Sequence, residues 1–226
     1  MAAASVGRAG QARGGGAVLA AVFDGGSTAH PYPGSAVLLA GPSATRNLAD
    51  AVHCLCVVHG RQPSIVDHAA GRIVEAGARR WIEEAVEVFA GERALLTKLA
   101  SVAGPQPSPP GHQASEAALV AQRHAFETLA RSERAGCPLG AALALAADWI
   151  AVRAVLDEAA RRFGLPAAPY RLRDRGRLEA FAEVAAGAST GAARALGFAA
   201  GQVVAQHHGL WDLLEARALA RVTALA

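Results

Sequence analysis

Apolar residues recur every three to four positions through most of this chain, the spacing that lines one face of an α-helix. The clearest stripe runs through Trp81, Ala85, Val88, Leu95, Leu96 and Leu99. Comparable stripes pass through Leu48, Val52, Leu55 and Cys56, through Ala118, Leu119, Ala125, Phe126 and Leu129, and through Leu145, Trp149, Val152, Leu156 and Phe163. The last carries Leu196, Ala200, Val203, Val204, Leu210, Trp211, Leu214 and Ala218. No segment alternates apolar and polar residues with β-branched content, so no strand is predicted. No internal repeat of fixed period is visible.

Proline and glycine set the boundaries. Proline inside a helix costs about 3 kcal/mol, so helices fit between the prolines at 31–42, 63, 105–110, 138 and 166–169. Gly60, Gly104, Gly136 and Gly164 each precede a proline by one to three residues, the stop signal of a helix C-terminus. The spacing predicts helices near 44–59 with Ser43 as cap, a short helix after Ser64 with Asp67 completing a capping box, and a long helix ending near Ala103. After a Pro-rich loop at 106–111, helices follow near 114–134, 137–163 with Pro138 in the first turn, 175–186 capped by Asp174, and 189–222. Residues 1–29 read as a low-complexity, irregular tail, and 30–226 as one all-α bundle of five or six helices.

Composition narrows the class. A 52% hydrophobic content with a net charge of only +3 excludes disorder throughout, and 226 residues suit one domain. Lys98 is the single lysine against 21 arginines, the mark of GC-rich coding, so the basic excess says little about partners. The densest basic cluster, Arg171, Arg173, Arg175 and Arg177, is interrupted by Asp174 and reads as a solvated connector in preference to a nucleic-acid patch. Cys54, Cys56 and Cys137 lack the spacing of a disulfide framework or a zinc ribbon, so reduced thiols in a cytoplasmic protein are expected. Arg8 and Arg13 before the apolar run 16–23 imitate a signal peptide, but the run is brief. No run of about 20 apolar residues reads as a membrane span, and no membrane partner is expected.

The chemistry lies in polar residues that fall on apolar stripes. Glu92 sits at the centre of its stripe, and His59 and His207 fall on theirs. Gln122 intrudes on another, and Asp148 is the one charge between Cys137 and Val152. A bare carboxylate among leucines costs several kcal/mol or neutralises, so Glu92 needs a partner: His59, His207 or an arginine. Converging imidazoles and carboxylates are also how bundles build metal and acid–base sites. His59, Glu92 and His207 are therefore the candidate catalytic or metal-ligating set, with Gln122 and Asp148 behind them. The plainer reading, a buried network that fixes helix register, is favoured over it. No cofactor is expected beyond a metal ion at that set.

Sharper motifs fail. No Glu has His three residues later, so the ferritin-like pattern is missing. Asp50 and His53, and His124 and Glu127, are three apart but are expected to point away from the stripes. There is no His-Glu-x-x-His, P-loop or Gly-x-Ser-x-Gly. His207 and His208 point about 100° apart on a helix and cannot share a metal. Trp81, Trp149 and Trp211 read as core anchors.

Several stretches resemble an uncharacterised helical family of GC-rich bacteria, a domain of unknown function. They are His30 to Tyr32, Leu48 to His53, Leu55 and Cys56, His59 to Arg61, and Gly209 to Arg217. The resemblance spans about 30–220 and implies one helical domain beginning near His30. It brings no activity, cofactor or catalytic residue.

The first functional expectation is a non-enzymatic cytoplasmic protein that self-associates or binds a partner, with the small-residue segment 187–201 as a surface. The alternative is an enzyme or carrier built on the His/Glu set. Nucleic-acid binding through Arg171 to Arg177 comes third.

Overall fold

A computed structural model describes residues 14–73, 76–107 and 111–223. Among them are nine helices and no strand: α1 (Gly15–Gly25), α2 (Ala36–Leu39), α3 (Ala44–His59), α4 (Ile65–Ala70), α5 (Ala76–Val102), α6 (His112–Ala130), α7 (Cys137–Arg162), α8 (Arg175–Gly187) and α9 (Thr190–Thr223). The protein is all-α, as the periodicity predicts. Expected boundaries from α3 onward hold to within about four residues, the scatter normal for helix ends.

Five or six helices were too few. Two of the additional helices, α1 and α2, lie in the Gly- and Pro-rich N-terminal region, where composition masks a short apolar run. In α1, Leu19 and Val22 are buried, and the helix packs on α7, α8 and α9. The expected irregular tail is thus helical and docked over Gly15–Gly25, because Ala17 to Phe23 can bury an apolar face. The rest of that tail expectation, residues 1–13 with Arg8 and Arg13, lies outside the described residues, as do Ser108, Pro109 and Pro110 of the Pro-rich loop.

The caps follow local chemistry. Asp174 accepts from the Arg177 backbone N–H, and the Asp67 carboxylate accepts from the Ser64 N–H and hydroxyl at 2.7 and 2.8 Å. Ser43 occupies its expected position, but its side chain makes no capping bond. Gly136 starts α7 with φ +90°, and a Cβ there would lie 2.3 Å from the Ala192 carbonyl oxygen, so only glycine fits.

The core is organised around α7. Every residue from Cys137 to Trp149 is buried, and the helix is packed against α1, α3, α4, α5, α6, α8 and α9. Its most extensive partner is α9. The two backbones come so close that a Cβ on Gly140 would stand 2.2 Å from the Leu196 carbonyl oxygen. Part of the segment 187–201 is used here, with Ala192, Leu196, Ala199 and Ala200 buried inside the chain, while 187–191 is exposed. By length and composition α7 could also cross a membrane, a property its position at the centre of the fold accounts for, since 83% of its apolar window is buried. Trp81, Trp149 and Trp211 are all buried, Trp81 stacking on Phe181 at 4.0 Å.

Candidate acid–base site

Three helices meet where α3 ends, α7 passes its midpoint and α9 crosses it. His59 is the last residue of α3, Asp148 lies mid-α7 and His207 mid-α9. His207 Nδ1 lies 2.5 Å from Asp148 Oδ2, and its Nε2 lies 3.1 Å from His59 Nε2. Asp148 also accepts from the Ser27 N–H and hydroxyl, both at 2.6 Å, and the Ser27 hydroxyl accepts from Trp211 Nε1 at 2.8 Å. Five side chains from α3, α7, α9 and the turn after α1 thus form one line, Trp211–Ser27–Asp148–His207–His59.

Electrostatics fix the charge at the Asp148 end of this line. Burial works to raise the Asp148 pKa, but the hydrogen bonds from His207 and Ser27 and the field of His207 outweigh it. The carboxyl is held below its usual range and ionised. His207 Nδ1 must then carry the hydrogen that points at it. One hydrogen lies between the two Nε2 atoms, 3.1 Å apart. Burial first, and then the neighbouring His207, hold the His59 pKa well below the ordinary imidazole value. His59 Nδ1 has no hydrogen-bond partner among the described residues.

The His59 ring lines a cavity with about 40 Å³ of water-sized space, between Phe126, Phe89, Leu145 and Trp149. His59 packs on Phe126 at 5.0 Å and edge-on to Trp149 at 5.1 Å. The charged groups on the wall are basic in balance, with Arg61, Arg93 and Arg123 beside Glu92 and Glu127.

The expected set comes together only in part. His59 and His207 meet, and Asp148, expected behind them, is the direct partner of His207. Glu92 is buried but bonds neither imidazole. It accepts from Arg153 at 2.7 Å and from Trp149 Nε1 at 3.0 Å. The Trp149 indole, bonded to Glu92 at one edge and packed on His59, fills the approach between them. Burial raises the Glu92 pKa, opposed by Trp149 and Arg153. Gln122 donates to the Gln206 carbonyl at 3.3 Å, beside the histidine but not in the relay, and its Oε1 is buried without a partner. As for the metal expectation, no three His, Cys, Asp or Glu side chains converge among the described residues as a metal site would require.

Three participants escaped the sequence reading. Ser27 lies in low-complexity sequence that carries no signal. Arg153 was legible only as the residue one turn beyond Trp149. Asp50 was expected to point away from the core, yet it is fully buried. The Arg217 guanidinium bonds it from Nε and Nη2, and Arg221 from Nη1 at 2.5 Å, because the C-terminal half of α9 covers the face of α3 opposite the stripe. Those two arginines outweigh burial and lower the Asp50 pKa. His124 and Glu127 do form the expected exposed pair at 3.3 Å. In the basic cluster, Arg175 and Arg177 are paired with Glu179 and Glu84.

The comparisons with known proteins bear on this geometry. A family model described as a family of unknown function, DUF6975, matches residues 22–222. The chain belongs to DUF6975. The matched span holds every residue of the relay, of the Glu92 network and of the Asp50 network. No curated protein and no solved structure matches the chain. DUF6975 therefore supplies membership, and the chemistry must be argued from this member's own side chains.

Proposed function

We propose that this protein is an enzyme whose relay withdraws a proton from a small molecule held against His59. The single observation that carries the reading is the unbroken Asp148–His207–His59 line, whose last ring lines a cavity and makes no second hydrogen bond among the described residues. In this reading His59 donates its Nε2–H to His207, so its Nδ1 is unprotonated. In the forward step His59 Nδ1 accepts a proton from the ligand. The Nε2 hydrogen of His59 passes to His207 Nε2. The positive charge then rests on His207, beside the ionised Asp148, and not on the half-buried His59. Reversal returns the proton. Such a pair of bases backed by a carboxylate is the arrangement general acid–base catalysis requires. Three free thiols, two of them buried, support a reducing, cytoplasmic setting.

The test is nitrogen-15 NMR of the histidine rings at neutral pH. The expected spectrum shows His207 protonated at Nδ1 and His59 protonated at Nε2 only, and Asp148→Asn shifts both patterns. A His59 ring carrying its hydrogen on Nδ1 in the wild type and in Asp148→Asn alike would remove the base from the cavity and end this reading.

Self-association is a second reading, favoured by Phe198 of α9, which is 55% exposed beside Ala195 and Arg194 on a shallow concave face. Sedimentation of wild type and Phe198→Asp tests it. A concentration-dependent dimer lost in the variant is the expected result, and a wild-type monomer throughout would dismiss it.

A further inference from the structure

Two buried nitrogens at the His59 cavity have no hydrogen-bond partner: Arg123 Nε and His68 Nε2. The nearest acid to Arg123 is Glu127, whose Oε1 stands 3.7 Å from Nε, beyond hydrogen-bond reach. Glu127 is also shared with His124. Arg93 by contrast is engaged, donating to Ser64 Oγ at 3.1 Å and lying 3.4 Å from Asp67. Arginine stays protonated, so its Nε is a donor under all conditions. A buried charged donor without an acceptor is costly, and such groups in a cavity mark a missing acceptor. With Arg93 beside Asp67 and Glu92 held by Arg153, the wall keeps Arg61 and Arg123 against Glu127 alone, one positive charge in excess.

We infer that the cavity takes the carboxylate of a small acid that carries an O–H or N–H on the neighbouring carbon. The carboxylate supplies the acceptor that Arg123 Nε lacks, one for His68 in its Nε2–H tautomer, and the single negative charge the wall calls for. At roughly 10–15 Å³ for each water-sized sphere, the cavity's ≈ 40 Å³ holds about three such spheres, the size of a carboxylate group. The rest of the molecule lies toward exposed Arg61 and Pro63. The adjacent O–H or N–H faces His59 Nδ1, which needs a donor. Only this last contact rests on the proton-withdrawing reading above.

Calorimetric titration of the full chain with glycolate, acetate and inorganic phosphate tests the inference. Glycolate is expected to bind saturably and about tenfold more tightly than acetate, with phosphate weaker than both. Arg123→Gln is expected to weaken glycolate at least tenfold with the thermal midpoint retained. His68→Asn serves as the second variant if Arg123→Gln does not fold. No saturable binding of any carboxylate, which leaves ordered water as the occupant, overturns the inference. So does glycolate binding that is indifferent to these variants, or acetate binding as tight as glycolate. The outcomes separate from those of the NMR test: a correct histidine tautomer pattern with no carboxylate binding removes the ligand class and leaves the relay standing.

Discussion

His207 Nδ1 and Asp148 Oδ2, 59 residues apart in sequence, lie 2.5 Å from each other in the buried seam between α7 and α9. This contact is both a structural tie and the rear of the relay. Removing the charge of Asp148 leaves the Ser27 N–H and hydroxyl and the His207 Nδ1–H competing for a poorer acceptor. Asp148→Asn is expected to lower unfolding free energy by about 1.5–3 kcal/mol, the scale for hydrogen bonds to a buried charged group. Urea denaturation measures it, and a loss below about 1 kcal/mol would mean the contact is not formed in solution.

The pH dependence of stability reports on His59. Its folded pKa is depressed, so the folded state resists taking up a proton that the unfolded chain accepts. The stabilisation is complete above the unfolded imidazole value of about 6.5 and is lost as pH falls toward the folded pKa, with a slope of at most about 1.4 kcal/mol per pH unit. His59→Gln is expected to flatten this part of the curve. An unchanged slope between about pH 6.5 and 5 would show that another histidine carries it.

Asp50 anchors the other end of α9. It is fully buried and receives hydrogen bonds from both Arg217 and Arg221. Asp50→Ala strands two buried guanidinium groups and is expected to cost about 3–5 kcal/mol, a large part of the stability of a typical domain. Arg217→Met removes one of the two partners and should cost less, because Arg221 still answers the carboxylate. The order of the two urea midpoints is the measurement, and a reversed order would contradict the assignment.

Glycines separate helix propensity from packing. Gly140 faces the Leu196 backbone, where a Cβ would stand 2.2 Å from an oxygen, so Gly140→Ala must push α7 and α9 apart and is expected to destabilise by about 1–3 kcal/mol. Gly91 in α5 has open space around its Cβ position. Gly91→Ala is expected to stabilise by about 0.5–1 kcal/mol through helix propensity alone. Thermal melts of the two variants should shift in opposite directions.

Glu92→Gln tests the division between the two buried networks. Glutamine keeps an acceptor for Trp149 Nε1 but leaves Arg153 with less charge to face. A loss of stability with unchanged His59 ring signals is expected in denaturation and NMR. A His59 shift as large as that of Asp148→Asn would join Glu92 to the relay.

What the sequence determined by itself was everything that depends on neighbours a few residues away. Periodicity placed α3, α5, α6, α7 and α9, because a stripe of Leu and Val at 3.6-residue spacing can be buried in only one way, and capping residues placed α4 and α8. Glycine and proline marked their ends, and Asp174 and Asp67 marked two starts. That reasoning also singled out His59, His207, Glu92 and Asp148 as polar groups in apolar surroundings, since burial of a stripe buries whatever sits on it. Tertiary structure alone decided which of them touch. A single stripe carries no information about depth or about which helix arrives opposite, so Glu92 could find Arg153 while His207 found Asp148. Asp50 shows the limit most plainly. A residue off the stripe is exposed only if nothing packs on the second face of its helix, and α9 packs there. Ser27 sits in a turn whose position follows from the docking of α1, and no local pattern encodes a contact made across more than a hundred residues.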